Sequence, residues 1–347
     1  MGVSVANVAT AEVNPTGYSP TGDLLRVRDL TVHYFQEGHE FPAVDHVSFD
    51  IASGEIVGLL GESGCGKTTI CLSLLGLLPD TARISCNSIL FRGRDLSLLD
   101  ESELREVRGA KVAIIYQDSS VLNPVIRVGN QVSDVLRAHR KCTRRQAREE
   151  VRAIFCAIGV RDFDRIYNAY PHQLSGGQRQ RIAIAQALIC RPHLVIADEP
   201  TASVDRNTAC EILDFIRQMK ESTGTSFLFI SHDPDTLAAV ADRIIVMYAG
   251  QIVEKGPLGD VYSKPLHPYT DALLQCAPGR IAPKDFDHGK SRLPCIPGKA
   301  PDPLAVLPGC SFSSRCKDRM EVCDLQRPDL IEVSSCRSVR CFKYEVS

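Results

Sequence analysis

Gly61-Glu62-Ser63-Gly64-Cys65-Gly66-Lys67-Thr68 is the stretch on which the reading of this chain turns. It satisfies the pattern G-x-x-x-x-G-K-[ST], and its neighbours suit it: a short apolar run, 55–60, leads in, and residues 68–78 follow with helical spacing up to Pro79. Glycines let the backbone curl so that successive N–H groups, with the positive end of the following helix, face an anion. In such a loop the Lys67 ammonium reaches the outer phosphates of a nucleoside triphosphate and the Thr68 hydroxyl coordinates Mg²⁺.

Working outward, residues 24–35 alternate in the manner of a strand, and 43–51 followed by Ser53-Gly54-Glu55 read as a second strand and a turn. Residues 100–108 and 143–158 are charged and helical, the second carrying Arg and Glu one turn apart. The apolar runs 194–197, 226–230 and 243–247 are bounded by turn residues and separated by helical patterns, as a parallel sheet covered on both faces requires. The expected class is therefore α/β. Beyond Pro278 the composition shifts to Pro, Gly and Cys without periodicity, which places a boundary near 280. The expected organisation is a loose tail over 1–22, a nucleotide-binding domain over 23–280 with a helical subdomain at about 119–176, and a Cys-rich extension over 281–347.

Composition narrows the function. With 40 basic and 42 acidic side chains the net charge is -2, so no nucleic-acid partner is expected and phosphate binding must be local. The apolar stretches 56–60 and 70–78 are far too short to span about 30 Å of hydrocarbon. The first twenty residues lack the basic region and apolar core of a secretion signal. Fourteen cysteines are many for a chain that reads as cytosolic, and six of them, Cys295, Cys310, Cys316, Cys323, Cys336 and Cys341, crowd into the last 53 residues.

Two further motifs decide which machine the phosphate loop serves. His193-Leu194-Val195-Ile196-Ala197-Asp198-Glu199 is an apolar strand ending in two carboxylates: Asp198 suits Mg²⁺, and Glu199 can polarise the water that attacks a γ-phosphate. Leu174-Ser175-Gly176-Gly177-Gln178 opens a helix and forms a second anion site. In this order the three motifs resemble those of ABC ATPases, and the resemblance covers roughly 24–345. It implies a P-loop NTPase (RecA-like) core with an antiparallel β subdomain and a helical ABC subdomain. It also implies that ATP and Mg²⁺ are bound by Gly61 to Thr68 with Thr69, and that Ser175, Gly176, Gly177 and Gln178 cap nucleotide held by a facing subunit. In that family Tyr34 takes the place of the aromatic that stacks on adenine, though it also reads as a half-buried strand tyrosine. Gln117 takes the place of the glutamine linking Mg²⁺ and water to the membrane-facing surface. Asp205 matches the loop that crosses the dimer, and His232 the histidine at the γ-phosphate, so that Lys67, Gln117, Glu199 and His232 form the implied catalytic set.

Met247-Tyr248-Ala249-Gly250 and Pro265-Leu266-His267-Pro268-Tyr269-Thr270 are similar to segments of the peptide and nickel importer branch. The resemblance implies a heterodimer with a second, homologous ATPase, two transmembrane permease subunits, an extracytoplasmic substrate-binding protein, and a peripheral place on the cytoplasmic face of the membrane. Oligopeptides or dipeptides are the implied cargo, with nickel or another small solute as the alternative. A soluble ABC ATPase acting on DNA or ribosomes is the reading from another class, and no coiled-coil insertion, second phosphate loop or basic tract supports it. The tail cysteines Cys310, Cys316, Cys323 and Cys341 look like the branch's cysteine-rich extension, implying a [4Fe-4S] cluster; zinc and unliganded thiols stay open, Cys336 could replace Cys341, and Cys295 reads as a bystander. Two departures stand out: the loop after Gln117 is about one residue short, with Ser119 where proline is usual, and Arg206-Asn207-Thr208 replaces a small, β-branched run.

Overall fold

The computed structural model describes residues 22–36, 38–117, 121–277, 279, 295–302 and 307–345. In chain order these form β1 (Asp23–Gln36), β2 (His39–Ala52), β3 (Ile56–Leu60), α1 (Lys67–Leu74), β4 (Ala82–Ser85), β5 (Ser88–Phe91), β6 (Arg94–Asp95), α2 (Glu101–Val107), β7 (Val112–Ile115), α3 (Val128–His139), α4 (Arg144–Ala157), α5 (Phe163–Asn168) and α6 (Gly176–Leu188). They continue with β8 (Leu194–Asp198), α7 (Arg206–Thr223), β9 (Ser226–Ser231), α8 (Pro234–Val240), β10 (Arg243–Tyr248), β11 (Gln251–Pro257), α9 (Leu258–Ser263), α10 (Pro268–Gln275), α11 (Val322–Leu325), β12 (Ile331–Ser334) and β13 (Arg337–Val339). The proposed 1–22 tail, apart from Gly22, and the shortened stretch Asp118, Ser119 and Ser120 lie outside the described residues.

Two sheets share the work. β2-β1-β5-β6, with β4 also on β1, form an antiparallel sheet, and the β1–β2 hairpin zips from Asp23↔Ala52 to Gln36↔His39. That pairing extends both strands beyond the alternating segments seen in the sequence. The larger sheet runs β12-β13-β11-β10-β3-β9-β8-β7, parallel from β10 to β7 and antiparallel beyond. β3, β8 and β9 are buried along their whole length, and strand alternation divides their side chains between two cores. Ile56, Leu60, Val195, Ala197, Phe227 and Phe229 face the helices, whereas Val57, Leu59, Leu194, Ile196, Leu228 and Ile230 face α1 and the antiparallel sheet. These near-continuous apolar runs are what a sheet covered on both faces demands.

Helix ends follow local chemistry. The charged patterns become α2 and α4, each opened by a reciprocal capping box, Asp100 with Glu103 and Thr143 with Gln146. The helix expected to run to residue 78 stops at Leu74. Gly76 turns left-handed (φ 60°), the Leu77 N–H donates to the Leu72 carbonyl at 2.9 Å and the Gly76 N–H to that of Ser73, so a glycine cap ends the helix before Pro79 is reached. The Cys-rich segment contributes β12 and β13, the latter pairing with β11 through Glu254↔Val339 and Lys255↔Ser338. Among the described residues no helix is long and apolar enough to cross a membrane.

Candidate active site

The phosphate loop sits between β3 and α1, at the carboxyl ends of the parallel strands, where such sheets bind ligands. Two glycines are dictated by close approach. A Cβ on Gly61 would stand 2.5 Å from the Met247 carbonyl oxygen and 2.6 Å from Cys65 Sγ, and one on Gly66 (φ 104°) 2.3 Å from the Ala43 carbonyl oxygen. No side chain caps α1, which leaves its first amides to a ligand. Lys67 is buried and turns its ammonium back onto the loop, donating to the carbonyls of Gly61 (2.7 Å) and Glu62 (2.9 Å). Thr68 Oγ1 donates to Asp198 Oδ2 at 2.9 Å, which brings together two of the three predicted Mg²⁺ ligands, Gln117 being the third. Burial raises the pKa of Asp198, and the charge of Glu199 raises it further, so a cation here would relieve both penalties.

Glu199 follows β8 with a left-handed backbone (φ 47°), a conformation costly for a residue with a Cβ, and its amide donates to the Ile230 carbonyl. The turn aims the carboxylate between two polar arms. Gln117 Nε2 donates to Glu199 Oε2 at 3.1 Å, and His232 Nδ1 lies 2.9 Å from Oε1. The predicted set Lys67, Thr68, Gln117, Asp198, Glu199 and His232 thus converges on one end of the sheet, from four separate segments of the chain.

The remaining predicted residues are placed as follows. Ser175 caps α6 in a capping box with Gln178 and is exposed; none of the hydrogen bonds found there among the described residues reaches loop 61–68. Gly176 and Gly177 pack near Ser203 and Thr208, beside the segment that carries Asp205. Asp205 caps α7, accepting from the amides of Asn207 and Thr208 and from the Thr208 hydroxyl, and these bonds lower its pKa. Arg206-Asn207-Thr208 is therefore the first turn of a capped helix. Tyr34 stacks on Phe41 (5.9 Å between centroids) on the hairpin whose Val32↔Val44 pair adjoins the glycine bend of the phosphate loop.

Two stretches that the sequence offered only as branch markers turn out to brace the phosphate loop. Ala249 and Gly250, both at positive φ, make the tight β10–β11 turn, and the Gly250 N–H donates to the Cys65 carbonyl at 3.1 Å. Tyr269, fully buried on α10, accepts the Glu62 N–H at 3.0 Å through its hydroxyl. His267, the N-cap of α10, receives the Tyr269 N–H on Nδ1, while its own N–H and that of Leu266 go to the buried Glu254 carboxylate, which Arg337 neutralises. No periodicity signals this bracing, because the partners are some two hundred residues apart.

Cys310, Cys316, Cys323 and Cys341 line one small pocket with Phe312, Met320 and Phe342; Cys336 is exposed and does not line it. Burial pushes the Cys310 thiol up to about 11, with the other three thiols adding to the shift. Among the described residues no group of three or more His, Cys, Asp or Glu side chains is arranged to hold a single metal ion.

Comparison with known proteins agrees with this geometry. Residues 44–202 match the family described as ABC transporter, and residues 253–323 the one described as oligopeptide/dipeptide transporter, C-terminal region. The chain is 41% identical to a probable peptide ABC transporter ATP-binding protein of Sinorhizobium fredii, over 94% of this chain and 96% of the relative. It is 40% identical to a dipeptide transport ATP-binding protein of Bacillus subtilis, over 92% and 94%. The chain belongs to the ABC transporter ATP-binding proteins. Its fold is that of solved ABC cassettes. The dimeric ATP-binding cassette MJ0796, bound to ADP and Pi, superposes with TM-score 0.62 at 25% identity, over 67% of this chain and 98% of the other. CbiO1 of Clostridium perfringens gives 0.59 at 26%, over 70% and 91%. The α/β core expected from the phosphate loop is thereby established, and this ABC ATPase binds and hydrolyses ATP with Mg²⁺.

Proposed function

We propose that this ABC ATPase powers the import of dipeptides and oligopeptides through a membrane permease, and that the observation carrying its chemistry is the Glu199 carboxylate held between Gln117 and His232 beside the Thr68–Asp198 pair. The names of the relatives and the match over 253–323 support the peptide cargo. The loop amides from Gly61 to Thr69 and the Lys67 ammonium bind the phosphates, with Tyr34 against the adenine. Thr68, Asp198 and Gln117 would hold Mg²⁺, which would supply positive charge to offset that of the outer phosphates. Glu199 orients the attacking water and takes its proton, while Gln117 and His232 fix both carboxylate oxygens.

The exposed Ser175 turn caps nucleotide held by a second, homologous ATPase, with Asp205 at the same junction. Two such subunits would close on ATP under two transmembrane permease subunits at the cytoplasmic face of the membrane, fed by an extracytoplasmic binding protein. Residues 23–280 are the nucleotide-binding domain, with the helical subdomain at about 119–176, and 281–347 form the extension.

Cys310, Cys316, Cys323 and Cys341 would hold a [4Fe-4S] cluster. The support for reading these four as one ligand set is that all of them line the same small pocket.

Glu199→Gln in the assembled complex tests the chemistry. ATP-driven association should persist, while hydrolysis falls about 100-fold or more, the contribution of a general base. Normal turnover in this variant removes Glu199 from its role.

A further inference from the structure

The second residue of the phosphate loop, Glu62, is held at three points. Its N–H goes to the Tyr269 hydroxyl and its carbonyl accepts from Lys67, while its carboxylate is gripped from the far end of the chain. Arg315 Nη1 donates to Glu62 Oε2 at 2.8 Å and Nη2 to Oε1 at 3.0 Å, the two-pronged geometry of a strong ion pair. The Arg315 side chain is only 5% exposed, and it also donates through Nε to the Pro297 carbonyl at 2.8 Å and through Nη1 to the Tyr248 hydroxyl at 3.2 Å. Phe312, one turn earlier, packs edge-on against both Tyr248 (5.2 Å) and Tyr269 (5.4 Å), whose rings lie 4.6 Å apart. The Cys-rich segment and the aromatic pair thus clamp one residue of the nucleotide cradle.

We propose that Arg315 is a positioning residue for ATP, acting through Glu62 to fix the phosphate loop and to neutralise the one carboxylate that the loop carries. Without Arg315 the first turn of the loop loses its outer anchor. Glu62 also becomes a bare anion on a surface built to receive anions, so both consequences weaken nucleotide binding. The C-terminal segment is in this way part of the ATP site.

The proposal rests on the reading of loop 61–68 as the phosphate cradle, and Lys67→Ala checks that reading on its own: retained affinity there would refute the cradle, whatever Arg315 does. The test is equilibrium binding of a non-hydrolysable ATP analogue to the full chain. Arg315→Gln should weaken binding about tenfold, the scale of one charge-assisted hydrogen-bond pair. Arg315→Lys, which keeps the charge and loses the fork, should fall between. Glu62→Gln placed on Arg315→Gln should cause no further loss and should recover part of it, because the unpaired charge has gone. Arg315 is overturned as a positioning residue if Arg315→Gln and Arg315→Lys leave the affinity unchanged, or if the losses from Glu62→Gln and Arg315→Gln simply add. Should Arg315→Gln fail to fold, the same cycle run with Arg315→Lys gives the decision.

Discussion

His267 offers a sharp test of how the α10 brace is held. The ring is 2% exposed, accepts the Tyr269 N–H at 3.0 Å, and can do so only while neutral. Burial, reinforced by the nearby Arg340 charge, lowers its pKa from 6.5 to about 3. The sign follows. Between those values the unfolded chain takes up a proton that the folded one refuses, so the contribution is intact above pH 6.5 and is lost as the pH falls towards 3. Each pH unit below the unfolded value removes about 1.4 kcal/mol, hence about 2.7 kcal/mol at two units below it. His267→Asn keeps a side-chain acceptor at the N-cap and cannot titrate. Urea unfolding of the nucleotide-free chain at about pH 7.5, 5.5 and 4.5 is the assay. The variant should be the less stable protein at the highest pH, since the ring's packing against Phe312 is lost, and the gap should close or invert at the lowest. A gap that stays constant across the three conditions would refute the reasoning, because it would mean that the ring is protonated alike in both states.

Two further outcomes follow from packing and from the thiol pocket. Gly61→Ala should abolish nucleotide binding and destabilise the chain, because its Cβ meets the backbone oxygen of Met247 at 2.5 Å and β10, buried from Ile244 to Tyr248, cannot retreat from its place beside β3; a variant with normal ATP affinity in a binding titration would contradict that. Anaerobically purified protein should show broad visible absorbance and bound iron, both lost in Cys310→Ser; zinc without iron in elemental analysis would overturn the cluster in favour of a single ion.

Much of the site was legible in the sequence because each motif is a short stretch of backbone with its own local logic. Strand, glycine turn and helix follow one another in the phosphate loop. Carboxylates end β8, and Ser175 stands at the start of the helix that the serine and two glycines announce, where the structure adds a capping box with Gln178. Where only local signals were used, the limits were missed by local chemistry as well: the helix after the loop stops at Gly76, whose left-handed turn and two backbone bonds end it before the proline.

What the sequence by itself determined, then, is a part of the elements: apolar strands for a buried parallel sheet, a glycine turn between strand and helix, and acids and a histidine at strand ends, while β4 to β7 and β11 to β13 carried no signal that was read. Tertiary structure alone decided which distant groups meet. Gln117 and His232 reach the same carboxylate, and Arg315 closes on Glu62 across 253 positions of chain. The tyrosine of a segment that read as a family marker holds an amide of the phosphate loop. Periodicity reports which face of its own element a side chain occupies, set by backbone geometry over a few residues. It carries no record of which other element will be packed against that face, since that is settled by the joint burial of both cores.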